Sequence, residues 1–330
     1  MKKTILLYLF CVAAFTVNAQ FVENFATPPF TLGGGLEGTN GWTLITTTTD
    51  QGGVSPKISS GPLYYTGYIS GGVGNVVELN KDNDTRTSQK STGLTAPADG
   101  TDVYVAFLVK VSDAGRPNFE RAIVGFNIGT AEYSRGNVYV RYSSFNEGIK
   151  LGVAKRDTKI MSDYIKPAEG TVDTHMLVMK YSRINGANND VVTLYINPDL
   201  SLSEASQTNK LIAEESGATD LGTGDLYLSL RQRSLGAQVG GIRVGTTWAY
   251  TVMGQTTEVK NPISNFHNIY AFDKNIMSGV AGQLKVYSLC GTELISTMTE
   301  GKFKTQLSNG LYLVRFTDMN GKTSVAKVQL

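Results

Sequence analysis

Histidine and cysteine are almost missing from this chain, with two of each among its 330 residues. That scarcity excludes zinc fingers, histidine-rich metal clusters and any disulfide framework. Cys11 lies in the leader segment, which leaves Cys290 alone. A single cysteine makes no internal bridge, and Cys290, following the alternation of Leu284, Val286 and Tyr287, reads as a small buried hydrophobe. Neither His175 nor His267 has a sequence neighbour that would activate it. An excess of one charge is absent as well: Lys plus Arg number 30 against 28 Asp plus Glu, and the difference is Lys2 and Lys3. Without the leader the balance is even, so nucleic acid and acidic membrane surfaces are not expected partners. Helical patterning is lacking too. No stretch keeps apolar residues at i, i+3, i+4 and i+7 for three turns, and the best helical candidate, residues 203–215, is short and polar. After the leader no run approaches the roughly 18 apolar residues of a membrane span, so the mature chain is expected to have no transmembrane segment.

Residues 1–19 are expected to be a signal peptide. Lys2 and Lys3 supply the positive start, residues 5–15 the apolar stretch, and Val17-Asn18-Ala19 the small residues for cleavage before Gln20. The expected location is therefore secreted, extracellular or on the outer cell surface.

What the chain has is glycine, 36 residues of it, and short β-branched or aromatic runs. Such runs lie at residues 103–109, 121–128, 137–142, 149–154, 175–181, 191–196, 225–230 and 241–244, punctuated by Gly, Asn, Asp and Pro. Residues 103–109 are apolar on both faces, as an inner strand requires. Past a polar linker at 251–262 a second rhythm begins, with strands predicted at 269–272, 283–288, 311–316 and 324–328 and turns at Asn309-Gly310 and Asn320-Gly321. The predicted fold is all-β: a β-sandwich or jelly roll over residues 20–250, then a small C-terminal β-sandwich over 263–330.

Chemistry is sparse. A sandwich glycosidase needs two carboxylates about 5–9.5 Å apart on one sheet face, and the Glu-x-Asp-x-x-Glu run of laminarinase-type hydrolases does not occur. The Gln-x-His of alginate-lyase-like sandwiches fails at Gln232, which no histidine follows. No Gly-x-Ser-x-Gly elbow, His-Glu-x-x-His or phosphate loop exists, so binding is expected ahead of catalysis. Along residues 225–231, Tyr227, Ser229 and Arg231 share one face, either the solvated side of an edge strand or a polar groove. Tyr64, Tyr65 and Tyr68, which sit among glycines, are candidates for stacking on sugar rings, and Trp42 and Trp248 are single tryptophans near turns; for all of these aromatics the alternative is core filling. For calcium, whose ligands are oxygens, the candidates are Asp82 and Asp84 around Asn83, and Asn189 and Asp190 after Asn188. Such clusters also build turns.

Two stretches resemble known families. Residues 284–294 (LKVYSLCGTEL), 307–316 (LSNGLYLVRF) and the basic and apolar tail 322–330 resemble the C-terminal sorting domain of type IX (Por) secretion in Bacteroidetes. That resemblance implies outer-membrane passage with the secretion machinery as partner of residues 263–330. The family's Pro-Asn-Pro opening is missing here, with only Asn261-Pro262 nearby. Residues 63–68 (LYYTGY) with Gly72 and Gly74, 103–108, 177–181, 189–198 and 241–248 resemble LamG-type, concanavalin-like jelly-roll modules of secreted bacterial proteins. This implies a fold that carries lectins, hydrolases, lyases and inert spacers alike. The expectation is a cell-surface glycan-binding or adhesive module; the alternatives are a polysaccharide-degrading enzyme with a non-standard site and a protein-binding surface component.

Overall fold

The computed structural model describes residues 21–45, 53–82, 85–114, 117–129, 134–144, 147–166, 173–254, 267, 269–272, 274–288 and 292–330. The leader with Cys11, most of the 251–262 linker, Asn83, Asp84 and Cys290 lie outside them. The chain divides into two compact units, residues 1–256 and 257–330.

The first unit opens with β1 (Phe21–Glu23), β2 (Thr43–Leu44), β3 (Lys57–Ser59), β4 (Val76–Leu79) and β5 (Thr85–Thr95). The long strands follow: β6 (Asp102–Ala114), β7 (Glu120–Ile128), β8 (Arg135–Ser144), β9 (Gly148–Ala154), β10 (Ile160–Met161) and β11 (Thr174–Ser182). It closes with β12 (Val191–Ile196), β13 (Lys210–Ala213), β14 (Asp225–Arg233), β15 (Leu235–Gly245) and the helix α1 (Trp248–Met253). These strands form two antiparallel sheets. One runs β13-β12-β11-β6-β15-β4-β3, with β1 also on β15, and the other β10-β9-β8-β7-β14-β5-β2. The sheets enclose one core in which Phe107, Val109, Leu177 and Val239 of the first meet Phe126, Val138, Leu228 and Leu230 of the second, all buried. This is a β-sandwich.

β6 explains why residues 103–109 are apolar throughout. Val103, Val105, Phe107 and Val109 face the core between the sheets. Tyr104, Ala106 and Leu108 face outward, where Leu63, Tyr68, Trp248 and Val252 cover them. A second apolar layer thus caps part of the eight-stranded sheet. Helix α1 belongs to that layer. Its first turn is closed by the Thr247 side chain, which accepts from the Tyr250 amide, and it ends at Gly254 in left-handed geometry. The polar run at residues 203–215 is mostly not helical: only Glu204–Ser206 forms a single 3-10 turn, and Lys210–Ala213 pairs with β12. No helix among the described residues is long and apolar enough to cross a membrane.

The second unit contains β16 (Tyr270–Phe272), β17 (Asn275–Met277), β18 (Gly282–Tyr287), β19 (Glu293–Thr299), β20 (Lys302–Lys304), β21 (Leu311–Asp318) and β22 (Thr323–Gln329). A β16-β17-β20 sheet and a β19-β18-β21-β22 sheet share a core of Ile276, Leu284, Val286, Val314, Phe316 and Val328. The architecture is all-β in both units.

Candidate functional site

The seven-stranded sheet buries one face and turns the other outward, and alternation decides which residue goes where. In β14, Leu226, Leu228 and Leu230 are fully buried in the core, so Tyr227, Ser229, Arg231 and Arg233 lie on the outer face. The pairing of β14 sets neighbours beside them. Tyr227 is flanked by Ser91 of β5 and Asn127 of β7, and Ser229 by Gln89 and Gly125. β8 continues the face, with Asn137 opposite Gly125 and Tyr139 opposite Ala122, and β9 sets Lys150 beside Arg141. β14 therefore lies between β5 and β7. The edge-strand reading of residues 225–231 is corrected: the chain holds Tyr227 and Arg231 on an inner strand, roughly 13 Å apart along it.

The middle of this face is a floor of buried polar and small residues. Ser229 and Asn127 are fully buried and Gln89 and Asn137 nearly so. The Ser229 hydroxyl donates to the Gly125 carbonyl at 3.0 Å, Asn127 Nδ2 to Gln89 Oε1 at 3.5 Å, and Asn137 Nδ2 to the Ser134 carbonyl at 3.3 Å. Gly125 is needed there, because a Cβ at that position would lie 2.6 Å from Asn137 Oδ1 and 2.9 Å from the Ser134 side chain. Cations and tyrosines surround the floor. Lys159 Nζ stands 5.3 Å from the Tyr139 ring centre, Lys150 Nζ 4.6 Å from that of Tyr164, and the Arg141 guanidinium 6.0 Å from Tyr164. Glu120 stands among them, 3.5 Å from Arg141 and 3.8 Å from Lys159, and Asp157 and Glu215 are further acids near Tyr139. Burial raises the Tyr139 hydroxyl's pKa, Asp157 and Glu215 add to the rise, and the charges of Arg231 and Arg233 act against it. Tyr139 accordingly stays a neutral donor beside two guanidinium groups at any ordinary pH.

Arg233, Tyr139, Arg141, Lys150 and Tyr164 escaped the sequence reading. The signal was available in β8, where Asn137, Tyr139 and Arg141 alternate with the core residues Val138 and Val140.

The tyrosine trio does not converge. Tyr68 is buried, and its hydroxyl donates to the carbonyls of Gly241 at 2.6 Å and Ala106 at 3.2 Å. It fills an irregular step in the pairing of β15, where Gly241 has φ +58° and a Cβ would lie 2.8 Å from the Ser70 carbonyl. The sugar-stacking reading of Tyr68 is therefore corrected to core filling. Tyr65 donates to the Pro198 carbonyl at 3.0 Å and packs on the second apolar layer. Tyr64 is 70 % exposed, its ring lying over Gly72. Trp42 and Trp248 are buried.

The Asn/Asp loop at 188–190 also reads differently in three dimensions. Asp190 is buried; its Oδ2 accepts from the Tyr181 hydroxyl at 2.7 Å and its Oδ1 from the Ile184 amide at 2.9 Å. Asn189 Nδ2 donates to the Asn185 carbonyl at 2.9 Å. The amides of Asn188, Asn189 and Asp190 all point at the Asp220 carboxylate, which pairs with the fully buried ammonium of Lys155. A loop that presents donors to an anion is not a cation cradle, and the positive charge at this place is the chain's own lysine. Calcium at Asn189 and Asp190 is corrected on that ground. Asp82 is exposed, its amide bonded to Asn80 Oδ1 at 3.0 Å, and Asp84 lies outside the described residues. Among the described residues no group of three or more His, Cys, Asp or Glu could hold a metal ion. Glu215 caps a turn, accepting from the amides of Arg156 and Asp157 at 3.1 Å.

No protein-family model matches this chain, and no curated protein matches it in sequence. Solved structures share its general outline. The globular domain of T. cruzi calreticulin is 10 % identical, with 65 % of this chain and 90 % of that one covered and a TM-score of 0.38. For an alginate lyase from Klebsiella pneumoniae the values are 13 %, 63 %, 96 % and 0.36. For lectin II from Ulex europaeus they are 9 %, 68 %, 97 % and 0.36. Likeness at this level leaves ligand and chemistry to be argued from the chain's own residues.

Proposed function

We propose that this chain is a secreted, surface-directed glycan-binding protein without catalysis of its own, and that its ligand lies along the outer face of the seven-stranded sheet. One observation carries the reading. That face gathers Arg231, Arg233, Arg141, Lys150 and Lys159 around Tyr139, Tyr164 and Tyr227, with Glu120 among them, in a chain whose overall charge is nearly balanced. Guanidinium forks suit carboxylate and sulfate groups, and tyrosine faces suit sugar rings. An acidic polysaccharide satisfies both. A buried, hydrogen-bonded floor of Ser229, Asn127, Gln89 and Asn137 underlies these side chains and fixes their spacing.

The test is retention of residues 20–330 on immobilised polysaccharides, acidic and neutral, with product release followed in parallel by reducing ends and by the ultraviolet absorbance of unsaturated uronates. Retention on acidic polymers without product is the expected result. Product release would make the protein an enzyme, and equal retention on neutral polymers would remove the arginines from the account.

Delivery to the surface is proposed on the sorting-domain resemblance of residues 263–330. Deleting residues 283–330 is expected to leave the protein in the periplasm; unchanged surface display of that deletion would contradict it.

A further inference from the structure

The eight-stranded sheet carries a second polar place, on the part of its outer face that the apolar layer leaves open. There the register sets four residues in one cross-strand row: Lys57 of β3, Glu78 of β4, Gln238 of β15 and Lys110 of β6. They line a cleft of about 540 Å³ together with Asn80 and Lys81. The row has an unusual pairing. In a sheet, opposite charges on neighbouring strands ordinarily pair, yet Glu78 accepts from Gln238 Nε2 at 3.2 Å, and neither Lys57 nor Lys110 has an ion pair among the described residues. Lys81 has its own partner, Asp113 at 2.6 Å. Two uncommitted ammonium groups therefore bracket the cleft, roughly 14 Å apart at their backbones by strand spacing, with an amide and a carboxylate between them.

We infer that this cleft is a second binding site, for a short acidic oligosaccharide whose separated anionic groups reach Lys57 and Lys110 while its hydroxyls meet Glu78 and Gln238. At that backbone spacing a single small oxyanion is expected to engage one lysine at a time. Two sugar acids in one chain reach both, which makes length, and not charge alone, the selected property. The inference shares the ligand class of the proposed function but not its residues: the arginine face belongs to the other sheet.

The experiment is calorimetric titration of residues 20–330 with tetragalacturonate, with inorganic sulfate as the single-anion probe. Wild type is expected to bind two equivalents of tetragalacturonate, and K57Q/K110Q one. R231Q/R233Q is expected to retain the equivalent that K57Q/K110Q loses, and sulfate to bind at least tenfold more weakly at the lysine site. An isotherm unaltered by K57Q/K110Q would overturn the inference and leave the arginine face standing. Loss of heat only in R231Q/R233Q has the same meaning. If binding survives in R231Q/R233Q and vanishes in K57Q/K110Q, the cleft stands and the proposed function of the arginine face fails. Unchanged circular dichroism and thermal midpoint in both variants keep folding out of the comparison, since glutamine keeps a polar side chain at each position while removing its charge.

Discussion

Lys155 is fully buried, and its ammonium pairs with Asp220, whose own side chain is 16 % exposed. Removing one partner of such a pair strands the other, at a cost of about 3–5 kcal/mol, so Lys155→Met is expected to lower the denaturant-derived stability of the first unit by about that amount. The same pair sets an acid limit. Burial works to raise the Asp220 pKa, but Lys155 and the amides of Asp190 and Asn188 outweigh it and hold the carboxyl below its ordinary value. Glu204 follows suit: burial opposes ionisation, and hydrogen bonds from Tyr195, Lys180 and Tyr104 prevail. A carboxyl with a folded pKa below its unfolded one binds fewer protons when native. Its stabilisation is thus present above the unfolded value near 4 and is lost as pH falls through the folded one. Thermal midpoints should fall below about pH 4, and Asp220→Asn should flatten that fall while lowering stability at neutral pH. Calcium or chelator is expected to leave the midpoint of wild type unchanged, since Lys155 supplies the charge at the 188–190 loop. The sequence could not reveal this, because Asn188-Asn189-Asp190 looks the same whether it offers its oxygens to a metal or its amides to a distant aspartate.

At the scale of elements, apolar alternation made most long strands legible, and its absence hid the others. β5 was missed because its inward side chains other than Leu94 are not apolar. Ser88 donates to Glu37 at 2.7 Å, and Lys90 pairs with the buried Glu23 at 2.7 Å, an acid that also accepts from Trp42 Nε1 at 3.1 Å. Polar groups that satisfy one another across the sandwich remove the period-two pattern by which a strand is recognised. α1, at six residues, is too short to show a helical period. The outer face of β14 was half legible: Tyr227 and Arg231 were found, but their place on an inner strand depends on which distant segments pair with it. The floor beneath them gives a prediction. Gly125→Ala would drive a Cβ into Asn137 and Ser134, and overpacking of this kind costs about 1–3 kcal/mol. A chemical-denaturation midpoint measures it, and a Gly125→Ala protein as stable as wild type would show that the floor yields freely.

For the whole molecule, composition conceals what the fold separates. Cations and acids nearly cancel along the chain, yet the register of β7, β8, β9 and β14 collects arginine, lysine and tyrosine on one outward face, while the inward acids Glu23 and Glu37 are each matched by a cation of β5, Lys90 and Arg86. That segregation is the central claim, and its most direct test is the affinity of residues 20–330 for polygalacturonate at low and high salt, in wild type and, in a K57Q/K110Q background, with and without R231Q/R233Q. Screening shortens the reach of a charge from about 30 Å at 0.01 M salt to 3 Å at 1 M. Wild type should bind tightly at low salt and lose most of that affinity at high salt. In the K57Q/K110Q background, which removes the contribution of the cleft on the other sheet, R231Q/R233Q should bind about tenfold or more weakly at low salt, which is a loss of about 1.4 kcal/mol or more. Binding that ignores both salt and the two arginines would contradict the account.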